Sequence, residues 1–122
     1  MITLTIRGPI PAKKNENKIT CAGRYPRTYK SKRFINWHGP ALEELAYTYR
    51  GETIEKTKSI VLRYYLKTRR KKDLTNMSES VMDLLVDAGV LLDDEFKVAP
   101  DVRMVFMAID KDNPRCEVEI EV

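Results

Sequence analysis

Cysteine, histidine, tryptophan and glycine are scarce: the 122-residue chain has two Cys, one His, one Trp and five Gly. Cys21 and Cys116 lie far apart with no Cys or His at a ligand spacing, which excludes a zinc site or disulfide framework and leaves two thiols of a reducing compartment. The lone His38 reads as a structural or solvated residue. No apolar run approaches the roughly 20 residues of a membrane span, and residues 1–6 alternate where a signal peptide would have an apolar core. A cytoplasmic protein without a membrane partner is expected. There is no glycine-rich loop ending in Gly-Lys-Ser/Thr, no His-Glu-x-x-His and no Gly-x-Ser-x-Gly, so ATPase, zinc-protease and acyl-hydrolase readings lose their support. Pro100-Asp101 opens one nuclease pattern, but Glu117-Val118-Glu119 lacks the lysine that would complete it.

Charge is plentiful and segregated. Residues 1–72 carry 18 basic and 5 acidic side chains, net +13, whereas residues 73–122 carry 4 basic and 13 acidic, net −9. A basic half suits a polyanion and an acidic half suits a cation, a division expected of nucleic-acid chemistry. The length fits a single domain spanning 1–122.

Ile2, Leu4 and Ile6 alternate with Thr3 and Thr5 as a first strand, ended by Gly8-Pro9. Residues 8–33 form a proline-punctuated basic loop or arm too poor in apolar side chains to bury itself, whose Lys13, Lys14, Arg24 and Arg27 are placed to meet phosphates. Ser31 is an N-cap for a helix through Phe34, Trp37, Ala41, Leu42, Leu45 and Tyr49, with a bend or restart predicted at Gly39-Pro40. Ile60, Leu62, Tyr64 and Leu66 mark a strand running into Lys67-Thr68-Arg69-Arg70-Lys71-Lys72, a cation run that reads as a phosphate cradle through Arg69, Arg70 and Lys71. Leu74, Met77, Val81, Leu84, Leu85 and Ala88 form the stripe of a second helix, capped at Gly89. Residues 98–109 and 116–122 read as an antiparallel pair around Asp110–Pro114. The order β-α-β-α-β-β predicts a two-layer α+β sandwich: a mixed sheet with two helices on one face.

Asp73 directly follows the cation run, and Asp93-Asp94 follow the second helix. Carboxylates for a hard divalent cation beside cations for phosphate are what metal-assisted cleavage of a nucleic-acid backbone requires. Folding back of the loop after Gly89 would bring Asp73 and Asp94 to one ion.

The run Lys72-Asp73-Leu74-Thr75-Asn76, followed by Asp83-Leu84-Leu85, Ala88-Gly89 and Leu92-Asp93-Asp94, resembles the RusA-type Holliday-junction resolvases, whose pattern is R-D-x-D-N followed by K, D-x-L, A-G and D-D. The resemblance implies a homodimer that binds branched double-stranded DNA at four-way junctions and nicks two strands symmetrically, in recombination and repair, with Mg2+ or Mn2+ held by Asp73 and Asp94 with Asp93 as acidic neighbour. Thr75 stands where the family has a second aspartate, and Glu79 where it has a helical lysine. Glu79 restores a carboxylate on the same helix, and Lys72 or Lys71 restores a cation, so Asp73, Asp94, Lys72 and Glu79 form the expected catalytic set. A catalytically degenerate junction-binding module is the alternative.

Overall fold

Three strands with period-two burial make the centre of the molecule. The computed structural model describes residues 1–12, 17–20, 27–70 and 73–122, with backbone alone for 17–20 and 27–30. The elements are β1 (Ile2–Arg7), β2 (Asn17–Thr20), β3 (Arg27–Lys30), α1 (Lys32–Thr48), β4 (Ser59–Leu66), α2 (Leu74–Asp87), β5 (Val102–Ile109) and β6 (Arg115–Glu121). The main sheet has the order β1-β6-β4-β5, antiparallel at the first two junctions and parallel at the last. Leu4 and Ile6, Ile60, Leu62 and Tyr64, and Cys116, Val118 and Ile120 are buried on one face with Leu45 of α1 and Met77, Val81, Leu84 and Leu85 of α2. On the other face Arg63 pairs with Glu119, and the Arg115 guanidinium lies 3.8 Å over the Tyr65 ring. This is the predicted two-layer sandwich with a mixed sheet and two helices.

The predicted pairing of the last two strands is wrong. β5 begins at Val102 and pairs parallel with β4, while β6 is inserted between β4 and β1. Local patterning could not reveal this, because residues 110–114 resemble a hairpin turn but step across the end of β4, where Asp110 N–H donates to the Leu66 carbonyl at 2.7 Å. Physically, α2 returns the chain beside β4 as a parallel crossover, and the alternating β6 gains partners on both edges. The C-terminal strand is therefore interior to the sheet.

Two other expectations change. The segment read as loop contains an antiparallel ribbon, Asn17 opposite Lys30 through Thr20 opposite Arg27, made of residues that include the β-favouring Ile19, Thr28 and Tyr29. α1 runs unbroken from Lys32 to Thr48 through Gly39-Pro40. The carbonyl that Pro40 leaves without a helical donor belongs to exposed Asn36, where water can serve it. Ser31 Oγ accepts from Phe34 N–H at 3.2 Å, as its sequence position predicts. α2 ends at Gly89, whose φ of +75° is the left-handed conformation that closes a helix, with Val90 N–H donating to the Leu85 carbonyl. Among the described residues no helix is long and apolar enough to cross a membrane.

Burial pushes the Cys116 thiol up to about 12 from its ordinary 9.0, with the neighbouring Glu117 charge adding to the rise and a Tyr64 hydrogen bond opposing it. Between those two values the folded chain holds a proton that the unfolded chain releases, so stability falls as pH rises from about 9 toward about 12. Urea-unfolding midpoints measured across that range should decline in the parent protein and decline less in Cys116→Ala. In a Cys21→Ser background, Cys116 should react with a thiol reagent at pH 8 only after unfolding.

Candidate nucleic-acid interface and acidic cluster

The end of β4 and the start of α2 gather the cations. A cavity of about 470 Å3 opens there, lined by Arg33, Lys67, Arg70 and Arg115 around Tyr64 and Tyr65, and reaching Met77 in the first turns of α2. Arg115 is fixed by Asp110 and Glu117, each at 2.8 Å. Lys67 and Arg70 make no ion pair among the described residues, so their charge remains available to an anion. Tyr64 closes the floor through a hydrogen bond between its hydroxyl and that of buried Ser78. Arg69 and Arg70 are exposed.

Arg33 of the basic arm, Lys67 of the cation run and Arg115 meet at this cavity, a convergence the sequence pattern does not show. Lys67 is visible as the first cation of the run. Arg115 has no such signal: it is brought opposite Tyr65 only because β6 lies beside β4. Lys13, Lys14, Arg24, Lys71 and Lys72 fall outside the described residues, and Arg27 is described by its backbone alone, in β3.

Asp73 is the N-cap of α2. Its Oδ1 accepts from Thr75 N–H at 2.9 Å and more weakly from Asn76 N–H at 3.4 Å, satisfying amides that the helix leaves unpaired. Thr75, where the family pattern has an acid, thus contributes a backbone donor to Asp73. Glu79 is exposed two turns further along.

Asp93 and Asp94 lie beyond the other end of the helix. Asp94 N–H donates to Asp93 Oδ1 at 2.7 Å. Partial desolvation, hydrogen bonding with the Asp93 carboxylate and the negative charge of Asp83 hold the Asp94 carboxyl above its ordinary value. Ten residues of helix, about 15 Å of axis, separate Asp73 from Asp83. Asp93 and Asp83 are the acidic neighbours that act on Asp94. Among the described residues no three His, Cys, Asp or Glu side chains form a group able to hold a metal ion. The fit to a hard cation is that of a partial site: Asp93 and Asp94 offer the one or two carboxylates that Mg2+ takes from protein when water and phosphate fill its remaining positions. Asp87 is engaged elsewhere, with His38 Nε2 at 2.9 Å.

No family model matches the chain. It is 32% identical over 85 residues to the crossover junction endodeoxyribonuclease RusA of Aquifex aeolicus (strain VF5), an alignment covering 70% of this chain and 66% of that protein.

The capping role separates structure from chemistry at Asp73. Replacement by alanine should cost about 1 kcal/mol of stability, whereas asparagine, an equally good N-cap, should leave stability near the parent value. Denaturant midpoints of Asp73→Ala and Asp73→Asn check this directly.

Proposed function

We propose, from the premise that this chain belongs to the RusA-type crossover junction endodeoxyribonuclease family, that it is a structure-specific endonuclease acting on four-way DNA junctions in the cytoplasm. In this reading it works as a homodimer whose two copies nick two strands symmetrically during recombination and repair. The observation that carries the proposal is the ring of Arg33, Lys67, Arg70 and Arg115 around one cavity beside the helix that Asp73 caps. Basic side chains at the mouth of a cleft, Lys67 and Arg70 above all, attract a phosphate backbone and release its counterions. The aromatic walls at Tyr64 and Tyr65 border the same space.

Phosphate contacts by Arg69, Arg70 and Lys71 position the duplex, with Lys13, Lys14, Arg24 and Arg27 of the basic arm extending the footprint. Asp94, with Asp93 beside it, would hold Mg2+ or Mn2+, which when bound supplies charge stabilisation at a phosphate and a more acidic water. Desolvation first, then hydrogen bonding with Asp93 and the negative charge of Asp83, raise the proton affinity of the Asp94 carboxyl, and the charge part of that rise is what a bound cation would relieve. In this reading Asp73, which caps α2 through Oδ1, would orient a water with its second carboxylate oxygen. Lys72 places a positive charge next to Asp73 in sequence, and Glu79 adds a carboxylate on the exposed side of α2.

A second reading, a junction-binding module without cutting, is favoured by Thr75 and Glu79 at the departures from the family pattern. The two readings differ in one assay. With Mg2+ or Mn2+ the parent protein should nick a synthetic four-way junction, and Asp73→Asn or Asp94→Asn should abolish nicking with junction affinity retained. Cutting by Asp94→Asn would remove that residue from the mechanism; binding without nicking in either metal would establish the second reading.

Alanine at both Arg69 and Arg70 should weaken junction binding and reduce the slope of log affinity against log salt by about 0.9 for each phosphate no longer neutralised. Titrations at several salt concentrations measure it, and an unchanged slope would show that these side chains do not touch phosphate.

A further inference from the structure

β5 is the strand that the fold leaves open. β4 pairs along one edge and α2 lies beside it. Even so, Met104, Val105, Phe106, Met107 and Ile109 keep 38–51% of their surface exposed. Exposed edges are usually blunted by charge, proline or shortness. β5 is eight residues long, carries Arg103 as its one charge and has no proline. The opposite edge, β1, instead alternates Thr3, Thr5 and Arg7 with buried Leu4 and Ile6.

The open backbone is complementary to itself. Ile60 N–H donates to the Asp101 carbonyl at 2.8 Å, and Asp110 N–H donates to the Leu66 carbonyl at 2.7 Å, so the polar groups of Asp101 and Asp110 both face β4. Alternation forward from Asp101 turns the backbone of Met104 and Phe106 outward. Alternation back from Asp110 turns that of Ile109 outward. The two counts differ in parity because the ladder slips between Tyr64 and Tyr65, which pair with Phe106 and Ala108 and leave Met107 as the extra residue.

That slip permits one particular self-pairing. A two-fold axis between Phe106 and Met107 sets Met104 against Ile109 of a second copy, outward backbone against outward backbone, and sets Val105 against Ala108. It also sets Arg103 against Asp110. Without the bulge, this register would oppose outward groups to inward ones. Arg103 already pairs with Asp101 and Asp110 with Arg115, so the contact extends two ion pairs into a row of alternating sign at each end.

We infer that β5 is the surface through which two copies of this chain join, antiparallel about a two-fold axis, into one continuous eight-stranded sheet. The inference rests on the homodimer of the proposed function and names its interface. A closed two-fold contact also removes the apolar edge as a template for open-ended association.

The test is covalent trapping. In a Cys21→Ser background, Val105→Cys combined with Ala108→Cys places two cysteines at directly opposed positions across the axis, within disulfide reach. Within one strand the same residues are about 10 Å apart and cannot bond. Mild oxidation should convert the protein to covalent dimer, whereas Thr3→Cys with Thr5→Cys on the β1 edge should stay monomeric on a denaturing gel. Independently, Phe106→Lys should raise the dimer dissociation constant about tenfold or more by sedimentation, with an unchanged circular dichroism spectrum because the side chain is half exposed. A dimer that neither cross-links through 105 and 108 nor weakens with Phe106→Lys would overturn this interface and leave the homodimer standing. A parent protein that sediments as monomer at every concentration would overturn both.

Discussion

The burial of Cys116, Val118 and Ile120 between β1 and β4 is the constraint on which the remaining structure depends. β6 is the one strand of the main sheet with antiparallel partners on both sides. Its inward residues touch the core from its middle, while Glu117, Glu119 and Glu121 face away. Because β6 fills the place beside β4 that a hairpin would have given it next to β5, β5 is displaced to the far edge. The exposed apolar strand, the crossing of residues 110–114 over the end of β4 and the position of Arg115 all follow from that insertion.

The same insertion assembles the cation site. Arg115 enters β6 opposite Tyr65 and stacks on its ring. Asp110 and Glu117 hold the guanidinium there and compensate its charge, so that Arg115 shapes the wall of a cavity whose unpaired cations among the described residues are Lys67 and Arg70. Cations gathered from β4, α1 and β6 into one cleft act on a polyanion more strongly than the modest net charge of +4 suggests. The acids are distributed differently. α2 is a helix of 14 residues with Asp73 capping its entrance and Asp93 and Asp94 following its exit in the chain.

Much of the architecture is legible in the chain. The alternation of β1, β4 and β6, the 3–4 spacing of Phe34 through Leu45 and of Met77 through Leu85, the Ser31 cap and the Gly89 stop are local signals, each contained within a few residues. The errors share a different origin. A turn-like link suggests pairing of residues 98–109 with 116–122, but partner choice in a sheet is decided by which edges other elements have already occupied. Pro40 suggests a bend or restart of α1; the restart does not occur, because an exposed turn tolerates a carbonyl without its helical donor. Of the site, the basic run and the acids around α2 can be read from spacing, whereas the contribution of Arg115 and Arg33 to the cavity cannot.

By itself the sequence determined the elements, the apolar face of each, the division of charge between the two halves and the family likeness centred on Asp73 and Asp94, since these depend on contacts within a helical turn or a strand pleat. Tertiary structure alone decided the order of strands, the exposure of β5, the cavity beneath Arg33 and Arg115, and the approach of Asp83 to Asp94. Those outcomes depend on residues far apart in the chain competing for the same edge or face, and no local pattern records who wins that competition.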